Sequence, residues 1–293
     1  MKISSPELLL NAQAVLGEGP AWDTARNCLY WVDIHAGHLH IFDPRSAQDD
    51  VLQVDAPLGC AAPTRSGHLI LGMRYGIALL NLETTQLTVL ASPESHLPGN
   101  RFNDGKCGPD GRFLAGTMDN NEREASGALY SYSPNGVLQT LVNQVRISNG
   151  LAWSPDHTTL YYIDTPTFEV KAYDYDLTSG EIGNPRVIIS IPPRLGFPDG
   201  MTSDRFGRLW IAMWGGAAVT VWDPTTGGLL ESIPIPAKNV TSCVFGGPNG
   251  TELFVTSARQ GLSSADLDAY PLSGGLFRVQ TDVEGLPTFF FGD

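Results

Sequence analysis

Apolar residues along this chain come in short runs, broken by clusters of Gly, Pro, Asn and Asp. That is the pattern of antiparallel hairpins; no long stretch carries the spacing of an amphipathic helix. The runs recur as a unit. Gly19–Asp33 reads apolar strand, polar turn, apolar strand, and Gly150–Asp164 repeats it almost residue for residue through Ala-Trp and Leu-Tyr. Asp104–Thr117 and Gly200–Met213 follow the same scheme, with weaker copies at Cys60–Leu71 and Cys243–Val255. Each unit continues into a third apolar run, such as Val170–Tyr173 or Val219–Trp222, and most into a fourth, such as Val187–Ser190. Six units of roughly 40–50 residues with four strands each predict an all-β, six-bladed β-propeller of four-stranded antiparallel blades around a central channel. Residues 1–293 then form a single domain. Two segments compete to close the ring, Glu7–Ala12 and Pro287–Phe291.

Composition narrows the function. Of 293 residues, 42% are hydrophobic and 17% charged, a balance that supports a packed core rather than disorder. Against 31 Asp+Glu stand only 18 Lys+Arg, a net charge of −13. Such a field repels phosphate backbones and anionic lipid, so no nucleic-acid or membrane partner is expected. None of the four cysteines lies in a C-x-x-C pair, and buried reduced thiols are expected. Leu8–Leu10 is too short for a signal-peptide core and no 18-residue apolar stretch exists, which predicts a soluble cytoplasmic protein. Nothing in the sequence speaks to the oligomeric state.

Aligning the six units places Glu18, Gly59, Asn103, Asn149, Asp199 and Ser242 at one position, the start of the innermost strand. In a propeller these starts converge on one mouth of the channel. Four of the six carry a carboxylate or an amide. One such residue is readily explained by turn hydrogen bonds; four at the same register suggest a shared site. Two buried carboxylates repel unless a cation or a proton compensates, and oxygen donors suit calcium, magnesium or manganese, with zinc tolerated. The second strand of each unit returns to the same mouth. The loops after it, Asp119–Glu124, Trp214–Gly216 and the region of Arg259, are therefore expected around a pocket for a small polar ligand, with Arg74 and Tyr75 similarly placed. Trp214 suits either a pocket wall or packing between blades. His35, His38 and His40 straddle a hairpin turn, and proximity in sequence alone does not make a metal site. No strand–glycine loop–helix phosphate motif and no G-x-S-x-G elbow is present.

The ordered set Leu16-Gly-Glu-Gly-Pro20, Asn100-Arg-Phe-Asn-Asp-Gly-Lys106, Ala115-Gly-Thr-Met118, Ile147-Ser-Asn-Gly-Leu151, Pro198-Asp-Gly-Met201 and Thr241-Ser-Cys-Val-Phe-Gly-Gly247 resembles the senescence marker protein (regucalcin) and gluconolactonase family. The Trp214-Gly-Gly and Gly261-Leu-Ser segments look more like its bacterial sugar-lactonase members. The resemblance extends over nearly the whole chain. It implies a six-bladed propeller that holds one divalent cation (calcium, magnesium, manganese or zinc, with iron(II) left open) and hydrolyses aldonolactones. It further implies Glu18, Asn149 and Asp199 as metal ligands, Asp199 as general acid/base, and Arg101 and Asn103 as substrate-binding residues. One position departs: the regucalcin-like pattern has Glu where this chain has Asn121, with Glu122 next to it, so either residue can take that substrate-facing role.

The expected reaction is metal-dependent hydrolysis of a sugar lactone, gluconolactone or a pentonolactone, with Trp214 packing on the ring. Two alternatives remain at this level: a calcium-dependent phosphoester or fluorophosphate hydrolase, since fold does not fix reaction, and a calcium-binding regulatory propeller without catalysis. Arg101 favours an enzyme, because ion binding alone has no use for it.

Overall fold

The computed structural model describes residues 1–54 and 57–292. Six antiparallel sheets of four strands each form a ring, the six-bladed β-propeller expected from the repeats. The innermost strands are Gly17–Asp23, Leu58–Pro63, Asn100–Cys107, Ser148–Trp153, Phe197–Ser203 and Asn239–Gly246. They are almost wholly buried, whereas outer strands such as Gln48–Gln53 and Gly228–Pro234 are largely exposed. Apolar clusters bridge neighbouring blades: Tyr30 and Val32 of the first pack with Leu58 and Leu71 of the second. The inner strands are buried on both faces yet carry polar residues such as Glu18, Arg101, Asn103 and Asp199, the groups that meet at the channel.

The ring is closed by the N-terminal candidate. Glu7–Leu10 pairs antiparallel with Leu276–Gln280 as the outermost strand of the last blade. The other candidate, Pro287–Phe291, lies across the blade ends opposite the channel mouth. Leu286 N donates to Ser203 O at 3.0 Å, Phe291 N to Pro63 O at 2.9 Å, and Gly292 N to Gly111 O at 2.9 Å. Phe289 sets its ring edge-on to Trp153. This strap covers the far end, where a cavity of only about 30 Å³ remains.

Each innermost strand breaks register with its neighbour at or beside the aligned channel position: after Glu18, around Gly59, between Phe102 and Gly105, after Asn149, between Pro198 and Met201, and before Ser242. Such an irregularity takes a residue out of the ladder and re-aims its side chain. Close approach between strands selects glycine beside two of these positions. A Cβ on Gly200 would sit 2.0 Å from Ser242 Oγ, and one on Gly59 2.5 Å from Phe102 O. The second blade therefore has no room for a donor where the others carry one.

All four cysteines are buried and none forms a disulfide. Among the described residues no helix is long and apolar enough to cross a membrane.

Candidate active site

The channel mouth opens into a cavity of about 480 Å³. Glu18, Asn103, Asn149 and Asp199 line it, each buried and each from a different blade. Glu18 Oε2 accepts the amide of Gly19 at 2.7 Å. Burial, then the charge of Asp104, pushes the Glu18 carboxyl up to about 8 from 4.5. The Asp199 carboxyl is raised well above its ordinary value by burial, then by Glu18 and Asp104, and it hydrogen-bonds Glu18.

The amides are locked by their partners. Thr165 Oγ1 donates to Pro198 O at 2.8 Å, so it accepts from Asn149 Nδ2, also at 2.8 Å. That turns Asn149 Oδ1 the other way, where Asn103 Nδ2 meets it at 2.9 Å. Asn103 Nδ2 also donates to Ser148 O at 2.8 Å, and its Oδ1 accepts from Arg101 Nη1 at 2.6 Å. Arg101 is only 4% exposed and is anchored further by Nη1 to Phe102 O at 3.0 Å and Nε to Asn120 Oδ1 at 3.1 Å. Its Nη2 has no protein partner among the described residues, which leaves a fixed donor for a ligand. Burial lowers this guanidinium to about 10, so it stays charged at neutral pH.

Farther along the channel lie the buried Asp104 and the half-buried Lys106. Asp104 accepts from Gly105 N through Oδ1, while its Oδ2 has no partner; Lys106 Nζ donates to Met201 O at 2.7 Å. Among the described residues no group of three or more His, Cys, Asp or Glu side chains is placed to hold a metal. The donor set is instead two carboxylates plus amide oxygen. It fits a hard divalent cation: burial raises both the Glu18 and Asp199 carboxyls, the Gly19 amide and Arg101 offset this only in part at Glu18, and Thr165 fixes the oxygen end of Asn149.

The loops around the mouth divide the remaining expected residues. Glu122 lines the cavity; Asn121 does not, and is exposed. Asp119 decides this by accepting backbone amides from Asn121, Arg123 and Glu124, which wraps the loop with Glu122 at φ 59°. Trp214 lines the cavity and also packs against the cluster containing Leu16 and Ala258, so both readings of it meet in one place. Gln260 and Gly261 reach the cavity in place of Arg259, which hydrogen-bonds Ser273 O and Gln13. Arg74 and Tyr75 stack on each other away from it, with Tyr75 67% exposed. The three histidines do not converge on one site: His40 pairs with Asp49 at 2.7 Å and stacks on Trp31, His38 meets His40 edge-on, and His35 lies near Arg101 at the mouth.

Sequence reasoning did not single out Thr165, Arg146 or Phe197, all of which line the cavity. Thr165 follows the second strand of its blade, as Trp214 does, so the same topological rule reaches it. Arg146 and Phe197 lie in or next to connections that enter an innermost strand, a position for which the repeat carries no signature.

The fold and this site define a propeller with a polar, cation-compatible channel mouth. The chain belongs to the SMP-30/Gluconolactonase/LRE-like family, whose model matches residues 16–259. It is 39% identical to regucalcin of Xenopus laevis, over 98% of each chain. A calcium-binding regucalcin of Agrobacterium tumefaciens is 30% identical with a TM-score of 0.94, covering 99% of this chain and 97% of its own. A gluconolactonase of Xanthomonas campestris is 26% identical with a TM-score of 0.76, covering 94% and 89%.

Proposed function

We propose that this protein hydrolyses a sugar lactone to the open sugar acid, with a divalent cation held by Glu18, Asn149 and Asp199. The observation that carries the reading is the convergence of two buried carboxyls with a fixed Arg101 on a cavity roomy enough for a sugar. Membership of a family that includes a gluconolactonase supports it. Arg101 and the cavity favour an enzyme over a simple ion-binding propeller, which needs neither.

The chemistry a bound divalent cation supplies there is polarisation of the ester carbonyl. Asp199 accepts a proton from the attacking water as its oxygen bonds to the carbonyl carbon. It returns that proton to the ring oxygen as the C–O bond breaks, leaving a carboxylic acid and a free hydroxyl. Arg101 Nη2 orients a substrate oxygen, and its planar donor set restricts the pose. Asn103 links Arg101 to Asn149, so substrate binding and ligand placement share one hydrogen-bonded unit. Trp214 offers an apolar face to the ring C–H groups, and Glu122 accepts from ring hydroxyls.

The test is pH-stat titration of glucono-δ-lactone with spontaneous hydrolysis subtracted, before and after chelation, alongside a phosphotriester. Acid release that requires enzyme and metal, with no phosphotriester turnover, supports the proposal; undiminished activity in fully chelated protein overturns its metal dependence.

A further inference from the structure

We infer that the preferred substrate is a sugar lactone carrying an anionic group at the end remote from the ester, and that Arg146 binds that group. The inference rests on the lactonase reading above. The cavity is polar at two levels: Glu18, Asn149 and Asp199 at the floor, and Arg146, Glu122 and Gln260 around the opening.

Arg146 is exposed to the cavity and held by its backbone and Nε alone. Its amide donates to Asp164 Oδ2 at 3.2 Å, and Nε lies 3.4 Å from the carbonyl oxygen of Glu122. Two acidic residues thus lie beside it, yet neither carboxylate takes the guanidinium. Asp164 is committed to the amides of Arg146 and Ile147, the latter at 2.9 Å. Glu122 presents its main chain, and among the described residues no carboxylate lies within ion-pair distance of Arg146. Both Nη groups are left to the cavity, in the fork that matches a carboxylate or phosphate.

Charge counting points the same way. The ionisable residues that line the cavity are Glu18, Glu122, Asp199, Arg101 and Arg146, with His35 nearby. A divalent ion matches the two floor carboxylates, which leaves two guanidiniums against Glu122 alone. The lining is then locally positive in a chain of net charge −13. Sugar hydroxyls both donate and accept, and Gln260 and Glu122 suffice to meet them; a guanidinium only donates, and an anion complements both its fork and its charge. At physiological ionic strength the acidic outer surface is screened within about 8 Å, so it does not bar an anion from this opening.

The experiment compares glucono-δ-lactone, 6-phosphoglucono-δ-lactone and glucaro-1,4-lactone on the metal-loaded wild type, Arg146→Gln and Arg146→Lys. Calorimetric binding of gluconate, 6-phosphogluconate and glucarate accompanies the kinetics. We expect kcat/KM of the wild type to be higher for a charged lactone than for the neutral one. Arg146→Gln should lower the charged value by about 10- to 50-fold, chiefly through KM, the scale of one charge-assisted contact. The neutral value should fall at least several times less, with Arg146→Lys intermediate. Whichever of the phosphate and carboxylate lactones loses more identifies the anion. Equal losses for neutral and charged lactones, or wild-type preference for the neutral one, would overturn the inference. If no lactone is hydrolysed, the lactonase reading falls by itself. The binding arm then decides Arg146 separately: equal affinity for gluconate and both more highly charged acids sinks it, and a charge preference lost in Arg146→Gln sustains it.

Discussion

Glu18→Gln removes one of the two buried carboxyls while keeping its shape and its acceptor for the Gly19 amide. In the metal-free fold the Glu18 carboxyl holds its proton up to about pH 8, against 4.5 ordinarily. Each unit of displacement corresponds to about 1.4 kcal/mol, so ionising Glu18 in the folded state is opposed by on the order of 5 kcal/mol. Between pH 4.5 and about 8 the folded chain binds a proton that the unfolded chain has released. Stability is therefore present in full below pH 4.5 and falls as pH rises, by up to about 1.4 kcal/mol per unit, until the loss saturates near pH 8. Glu18→Gln abolishes this share and also lowers the pressure on Asp199. The assay is urea unfolding of chelated wild type and variant at half-unit steps from pH 5 to 8.5, repeated with calcium. We expect the wild type to lose several kcal/mol over that range and the variant distinctly less. Calcium should rescue the wild type at pH 8 and the variant only weakly, as differential ligand binding requires. Parallel stability curves, differing in slope by less than about 0.3 kcal/mol per pH unit, would show that the Glu18 charge is already compensated without metal and would refute the argument.

Asp199→Asn at saturating metal should lower kcat by about 10²-fold or more, the scale of general-base loss; a normal kcat would remove Asp199 from that role. Thr165→Val unpairs the Pro198 carbonyl and frees the Asn149 amide to rotate, and should weaken metal binding by about 10-fold, read by calorimetry, beside a metal-free stability loss of about 1–3 kcal/mol. Gly200→Ala sets a methyl against Ser242 Oγ and should destabilise the fold by roughly 2 kcal/mol in chemical denaturation, and Ser242→Ala should restore part of it. Glu122→Ala should change the ratio of kcat/KM between five- and six-carbon lactones, whereas Asn121→Ala, whose side chain lies outside the cavity, should leave that ratio as it is.

The architecture was legible because it is local and repeated. Gly19–Asp33 and its echo Gly150–Asp164 carry strand, turn and strand in their own residues, and each copy folds against neighbours of the same kind. Alignment of the copies was enough to put Glu18, Asn103, Asn149 and Asp199 in one ring, since blade symmetry turns a register position into a place in space. What escaped the sequence depended on partners distant along the chain. Glu7–Leu10 and Pro287–Phe291 are both short apolar segments near an end; the free edge of Leu276–Gln280 accepted the first, and the second crossed the far blade ends instead. Asn121 and Glu122 are adjacent in sequence, and three backbone bonds to Asp119 decide which of them lines the cavity. Thr165 owes its place to the carbonyl of Pro198 from the next blade, and the Arg146 guanidinium lacks a carboxylate partner because Asp164 faces backbone amides instead. Period and residue type specify the strands and the ring because those interactions repeat. The side-chain contacts that make the ring a site occur once each, between blades, and only the closed tertiary structure brings their members together.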